Sequence, residues 1–204
     1  MTTPKHAPLN RAKHGFRAQA IAGRSDVDGY ARERDDFFPT PERATRALLA
    51  VEAFDGPIWE PACGDGAISK ILRGAGYETV DSDLIDRGYG ETGIDFLMEW
   101  RARAPNIVTN PPFKLAVPFV QQSLRLTTGK VAMLLKIAFL EGQERAGLFA
   151  SSPLARVLVF SRRLAFVPGG SLPSRKLDGG GMMAFAWFIW DHQHRGPPTL
   201  GWLP

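Results

Sequence analysis

Cysteine is nearly missing: Cys63 stands alone in 204 residues, which excludes an internal disulfide and fits a reducing, cytoplasmic compartment. Long apolar runs are missing as well. The two longest, Val131 to Leu140 with Lys136 inside it and Met182 to Trp190, reach about half the length of a membrane-spanning helix. No apolar stretch follows the basic residues at the N-terminus, so that end does not resemble a secretory signal. No internal repeat is present, which excludes solenoids and propellers. Acidic residues are absent from two stretches. Met1 to Arg24 holds Lys5, Arg11, Lys13, Arg17 and Arg24, and Ser151 to Leu177 holds Arg156, Arg162, Arg163, Arg175 and Lys176.

What remains is the composition of a folded domain, 44% hydrophobic and 23% charged, with 16 prolines and 21 glycines that imply many turns. The net charge is only +4, but Asp35 to Glu99 is rich in acids between the two basic stretches. A solvated arm and a solvated loop account for such a pattern. So does a polyanion gripped around a site that itself prefers a cation. The length suits one domain with a substantial core. Residues 1–34 lack an apolar period and read as a basic, flexible arm, leaving 35–204 as the single domain.

Thr40, Pro41 and Glu42 before Ala44, Ala47, Leu48 and Leu49 predict a helix with a Thr N-cap and proline at its first position. Strands are expected at Ile58–Glu60, Glu78–Leu84, Asn106–Thr109, Lys130–Ile137, Ala155–Ser161 and Met182–Asp191. Helices are expected at Ala67–Gly74, Leu115–Leu126 and Gly142–Phe149. This alternation predicts an α/β, Rossmann-like, doubly wound and mostly parallel sheet. The last two strands follow one another without a helix, which predicts a C-terminal antiparallel pair. The final strand is apolar throughout, as in the centre of a sheet. In such sheets ligands sit at the carboxyl ends of the strands.

Chemistry-bearing residues follow several of these strands. EPACGDG, Glu60 to Gly66, places Gly64 and Gly66 where the backbone turns tightly and can approach a ligand. The third glycine of the dinucleotide fingerprint is missing, and Glu60 and Asp65 would repel a pyrophosphate but attract a sulfonium or ammonium group. In DSDL, Asp83 stands 23 residues after Glu60, near the spacing at which an acid accepts hydrogen bonds from ribose hydroxyls. VTNPPFKLA, Val108 to Ala116, stops a strand with two prolines that each remove a donor. The Asn110 side-chain oxygen and the Pro111 carbonyl are two acceptors brought to that strand end. Pro111 and Pro112 hold that carbonyl rigid, and Phe113 offers a stacking face.

With these motifs the chain resembles the class I S-adenosylmethionine-dependent methyltransferases that act on amino groups. EPACGDG, DSDL, IDFL and NPPF resemble their first four motifs. PTPERA resembles the segment that, in the gamma motif order of adenine-N6 DNA methyltransferases, precedes them and closes over the methionine portion. The resemblance implies S-adenosylmethionine as cofactor, bound by Phe38, Thr40, Glu60, Ala62, Gly64, Gly66, Asp83, Leu84, Asp95 and Phe96. Asp95 would meet the cofactor's adenine amino group, with Leu84 and Phe96 on the ring faces. It implies Asn110, Pro111, Pro112 and Phe113 as the catalytic set around a flipped adenine. The exocyclic nitrogen of that base is a poor nucleophile because its lone pair is delocalised; the Asn110 side-chain oxygen and the Pro111 carbonyl would each take one of its hydrogens and aim the lone pair at the methyl donor. RRLAFVPGG resembles the segment that carries a second stacking aromatic, here Phe166, for which a core position is the competing assignment. Lys114, Arg162, Arg163, Arg175 and Lys176, with Arg11, Lys13 and Arg17 of the arm, would meet DNA phosphates.

Only fourteen residues follow Trp190, where restriction-associated members carry a target-recognition domain. The expectation is therefore short or no sequence specificity, as in orphan methyltransferases of phages and prophages. No metal is expected, since His192 and His194 lack further ligands and read as a solvated strand end. Cys63 reads as a small packing residue. RNA methylation at adenine N6 or guanine N2 would use the same motifs. Protein-glutamine methylation is disfavoured by Phe113 in place of tyrosine, and a silent nucleic-acid-binding module would not need both motif sets.

Overall fold

The computed structural model describes residues 37–166 and 183–204. Within them the strands are β1 (Ile58–Glu60), β2 (Thr79–Asp81), β3 (Asn106–Thr109), β4 (Lys130–Lys136), β5 (Leu154–Phe160), β6 (Phe185–Asp191) and β7 (Thr199–Leu203). The helices are α1 (Glu42–Leu49), α2 (Ala67–Gly74), α3 (Ala116–Leu126) and α4 (Gln143–Ser151), with 3-10 turns at Phe96–Met98, Phe113–Leu115 and Ile137–Leu140.

Alternation of apolar residues places the sheet between two helical layers. In β4, Val131, Met133 and Leu135 join one core while Ala132 and Leu134 join the other. In β6, Ala186, Phe188 and Trp190 oppose Phe185, Trp187 and Ile189 in the same way. The first core is closed by Ala116, Phe119, Val120 and Leu126 of α3, and the second by Ala44 and Leu48 of α1 and Ile68 and Leu72 of α2. Each large apolar side chain buried this way contributes about 1.5–3 kcal/mol. The buried tryptophans also satisfy their N–H groups: Trp59 donates to Ser82 Oγ at 2.9 Å, Trp187 to the Ala44 carbonyl at 2.9 Å and Trp190 to Ser152 Oγ at 3.0 Å.

Strand order across the sheet is β2-β1-β3-β4-β6-β5-β7. Only β6 runs against its neighbours β4 and β5; every other pairing is parallel. The expected doubly wound α/β sheet with an antiparallel pair near the C-terminus is thus borne out. Because β1 to β4 are parallel, Glu60, Asp81, Thr109 and Lys136, their last residues, lie along one edge of the sheet.

Several details differ from the sequence expectation. Thr40 does not cap α1: Pro41 precedes the first helical residue without a side-chain cap, and the buried Thr40 hydroxyl instead accepts from Asn110 Nδ2 at 3.0 Å. β2 stops at Asp81 rather than Leu84, because Ser82 makes only an isolated bridge to Glu91 before the chain turns away. β7 lies beyond the last predicted element; its sequence, TLGWL, leaves Leu200 and Trp202 exposed at the sheet edge and carries no strong strand pattern. Arg156, counted in the basic stretch, is committed to Glu52 at 2.8 Å, which also pairs with Lys130 at 2.7 Å. The proposed arm and most of the basic loop lie outside the described residues. No described helix is long and apolar enough to cross a membrane.

Candidate active site

A cavity of about 280 Å³ opens at the carboxyl ends of β1, β2 and β3. Its lining joins residues that are far apart in sequence: Phe38 and Thr40 from the strap before α1, Glu60, Ala62 and Gly64 after β1, Asp83 and Leu84 after β2, and Asn110 to Phe113 after β3. Eleven of the residues singled out by sequence, counting all four of the NPPF motif, therefore share one cavity.

The first loop is shaped by backbone demands. Gly64 has φ +55°, and a Cβ there would come within 2.5 Å of the Phe37 ring. Gly66 has φ +79°, and a Cβ would meet the Tyr89 ring at 2.6 Å. Both conformations disfavour any residue with a side chain. Asp83 fastens this loop from the neighbouring strand: Oδ2 accepts from Gly64 N at 2.8 Å and Oδ1 from Ile85 N at 2.9 Å. Each carboxylate oxygen keeps capacity for a further donor, so the pre-oriented group can still receive hydroxyls from a ligand. Leu84 and Ile85 present exposed apolar surface beside it.

Glu60 sits at the floor, 2% exposed. Its carboxyl accepts from Ser69 N at 2.9 Å, and the Ser69 hydroxyl lies between Glu60 Oε2 and Asp81 Oδ1, the latter at 2.5 Å. Arg73 also pairs with Asp81. Burial is the main cause that raises the Glu60 carboxyl well above its usual range; the Ser69 bond opposes it, and the charges of Asp81 and Asp83 add to it. Cys63, beside it, is pushed up to about 12 by burial and by the same carboxylates, and remains a buried thiol.

On the opposite wall stands Asn110. Its Nδ2 donates to Thr40 Oγ1 at 3.0 Å and to the Phe38 carbonyl at 3.4 Å. Because a carbonyl can only accept, these bonds fix which way the amide faces. They leave Asn110 Oδ1 buried without a hydrogen-bond partner among the described residues, where the other such side-chain atoms are all hydroxyls. A hydroxyl can rotate; this amide cannot. An unpaired buried acceptor costs about 1–3 kcal/mol, and a ligand amino group would remove that cost. The Pro112 carbonyl is taken by Leu115 N at 2.8 Å, which starts the 3-10 turn that presents Phe113.

Other sequence expectations land elsewhere. Gly66 is covered by Tyr89 and does not line the cavity. Asp95 folds back to accept from Leu97 N at 3.0 Å, capping its own turn, and is absent from the cavity lining. Phe96 is 2% exposed and packs edge-on to Trp59 and against Phe119, so it is a core ring rather than a ligand platform. Phe166 packs on Phe185 with centroids 4.6 Å apart and on Phe38 at 6.4 Å, supporting the cavity wall from behind. Lys114, Arg162 and Arg163 are exposed outside the lining, and Arg43 of α1 donates to the backbone carbonyls of Arg162 and Arg163. Arg11, Lys13, Arg17, Arg175 and Lys176 lie outside the described residues. Among the described residues no cluster of three metal-binding side chains occurs. His192 Nε2 lies 3.5 Å from Thr127 Oγ1.

Sequence reasoning missed several participants. Phe37, which carries the Arg87 guanidinium 3.9 Å above its ring, and Ile85 line the cavity. Tyr89 roofs Gly66, flanked by Lys70 at 5.0 Å and Arg73 at 5.7 Å. The only available clue was Ser69, a polar residue on the apolar face of α2 between Ile68 and Leu72.

The donor set suits a cationic adenosine derivative: a carboxylate fixed at a loop, an apolar ledge beside it, and a buried carboxyl whose charged form a positive ligand would favour. No family model matches the sequence, and no curated protein matches it closely. The backbone, however, is similar to solved structures. A crystal structure of a proposed RNA methyltransferase from Pyrococcus horikoshii aligns with TM-score 0.51 at 15% identity, over 76% of this chain and 85% of that one. The 23S rRNA methyltransferase ErmE aligns with TM-score 0.52 at 16% identity, over 79% and 71%. A cryo-EM DrdV–DNA complex aligns with TM-score 0.53 at 13% identity, over 85% of this chain and 28% of that one. With the cavity at the carboxyl ends of the parallel strands, these likenesses give the chain the fold of the class I S-adenosylmethionine-dependent methyltransferases.

Proposed function

We propose that the protein transfers a methyl group from S-adenosylmethionine to the N6 amino group of adenine in DNA, with little or short sequence specificity. The observation that carries this reading is the Asn110 amide, held by Phe38 and Thr40 with its oxygen buried and unpartnered. An acceptor prepared in advance is what an amino nucleophile requires, because positioning and electrostatic preorganisation replace a strong base.

When bound, S-adenosylmethionine supplies an electrophilic methyl group on a cationic sulfur. Asp83 would hold ribose hydroxyls, Leu84 and Ile85 would cover the adenine ring, and the Glu60 carboxyl would face the positive charge. Asn110 Oδ1 would accept one hydrogen of the target amino group and the Pro111 carbonyl the other, turning the nitrogen lone pair out of the ring plane. Phe113 would stack on the base, worth roughly 1–3 kcal/mol, which offsets part of the few kcal/mol needed to extrude it from a duplex. The basic residues 162, 163, 175 and 176, with those of the arm, would meet phosphates and make binding fall steeply with salt. The similarity to a structure solved with DNA supports a nucleic-acid substrate.

RNA is the second reading, favoured by the likeness to ErmE, a 23S rRNA methyltransferase. One experiment separates the two. The protein is incubated with methyl-labelled S-adenosylmethionine and, separately, duplex DNA, single-stranded DNA, RNA and a protein extract, and the digests are analysed. Label in N6-methyladenine from DNA is expected; label confined to RNA or to glutamine overturns the reading.

A further inference from the structure

Lys136 ends β4, one strand over from the β3 end that delivers Asn110. A second cavity of about 180 Å³ lies beside it, behind Phe113, which therefore walls both cavities. Leu135 and Phe139 give this space an apolar lining, and among the described residues Lys136 and Arg145 supply its only charges, with no acid in the lining. The Lys136 ammonium sits 4.5 Å from the centroid of the Phe113 ring, and no described carboxylate pairs with it. Arg145 is held rigidly: Nε donates to the Phe139 carbonyl at 2.9 Å, Nη2 donates to the Ala138 carbonyl at 3.4 Å and to the Glu141 carbonyl, and the guanidinium lies 5.3 Å from the Phe139 centroid. Carbonyls orient a guanidinium without neutralising it.

Two half-buried cations that lack a carboxylate among the described residues are costly unless a ligand brings the negative charge. The ligand must also present a flat or apolar face to Leu135 and Phe139. A phosphodiester joined to a nucleoside meets both requirements, and the shared Phe113 wall puts it next to whatever occupies the first cavity. We propose that this second cavity takes the nucleotide adjoining the target adenine, with its phosphate at Lys136 and Arg145. The inference rests on the nucleic-acid reading above and extends it to a defined contact on the substrate backbone.

The test uses the full chain and duplexes of G·C pairs with a single A·T pair, in which each phosphate near the adenine is replaced in turn by an uncharged methylphosphonate. Affinity is read by fluorescence anisotropy. One linkage beside the adenine, when neutralised, should weaken binding about tenfold, the loss of one charge-assisted contact. Lys136→Gln should weaken binding to the unmodified duplex by a similar factor, become indifferent to that one linkage, and lower the salt slope by about 0.9. Lys136→Met, which keeps the stem packed on Phe113, should behave alike, and Lys136→Arg should restore affinity. An unchanged cofactor affinity and melting temperature show that the fold is intact. If Lys136→Gln and Lys136→Met bind as the wild type does and keep its sensitivity to every linkage, the inference is overturned while the nucleic-acid reading stands. If no duplex binds and no nucleic acid is methylated, both fall together.

Discussion

The two sides of the region at the strand ends are built on opposite principles. On the side of β1 and β2 nearly every polar group already has a partner: Asp83 holds Gly64 and Ile85, Glu60 holds Ser69, and Asp81 holds Arg73. On the side of β3 and β4 the decisive groups lack one among the described residues: Asn110 Oδ1 is orphaned, and the Lys136 ammonium has only an aromatic ring beneath it. A saturated half is a rigid receptor that a ligand joins by adding bonds. An unsaturated half carries a cost that substrate removes, and this is where binding energy can be directed at a reacting group. Charge follows the same division, with acids where a cation is expected and cations where phosphates are expected.

The sharpest way to break this comparison would be to show that Phe96 belongs to the cofactor half, as its motif suggests, rather than to the core. Phe96→Ala should lower stability by about 3–5 kcal/mol, read by chemical denaturation. The folded variant should bind S-adenosylmethionine nearly as the wild type does. Asp83→Ala comes next. It removes the carboxylate that would receive ribose hydroxyls and also frees Gly64 N and Ile85 N, a loss of about 1.5–3 kcal/mol per charge-assisted bond. Cofactor affinity measured calorimetrically should fall about tenfold or more, with the sheet intact.

The smallest effect concerns Glu60. Its folded-state value is raised above the usual 4.5, so folding favours the protonated form. The contribution is fully present below the unfolded value and is lost as pH rises through the raised one. Wild-type melting temperature should therefore decline with rising pH in that window relative to Glu60→Gln, which has no carboxyl to ionise there. Parallel curves would show that burial does not raise the Glu60 carboxyl.

Much of this division could be read in the sequence, because it depends on residues that follow strands. Glu60, Asp83 and Asn110 each stand just past an apolar or β-branched run, and a parallel sheet brings such ends together whatever lies between them. The contrast between Asn110 and Asp95 shows where that logic stops. Both resemble motif residues, but Asn110 is fixed by long-range bonds to Phe38 and Thr40, whereas Asp95 is taken by a bond to Leu97, two residues away. Local capping competes with ligand binding, and sequence does not say which wins. Phe166 is ambiguous in sequence, and Phe96 reads there as a ligand platform, for a related reason: an aromatic ring stacks equally well on a flat ligand or on other rings, and here Phe185 and Trp59 are the partners. The cation–aromatic pairs of Arg87 with Phe37 and Lys136 with Phe113 join residues far apart in the chain and leave no local pattern.

The central claim is that Asn110 serves the amino group being methylated and not the cofactor. The direct measurement is the turnover of Asn110→Ala alongside its affinity for S-adenosylmethionine. Loss of an acceptor used in the transition state should reduce turnover by about two to three orders of magnitude, while cofactor affinity stays within about twofold of wild type, less than 0.5 kcal/mol. Unimpaired turnover, or a loss of cofactor affinity that accounts for the whole defect, would contradict it.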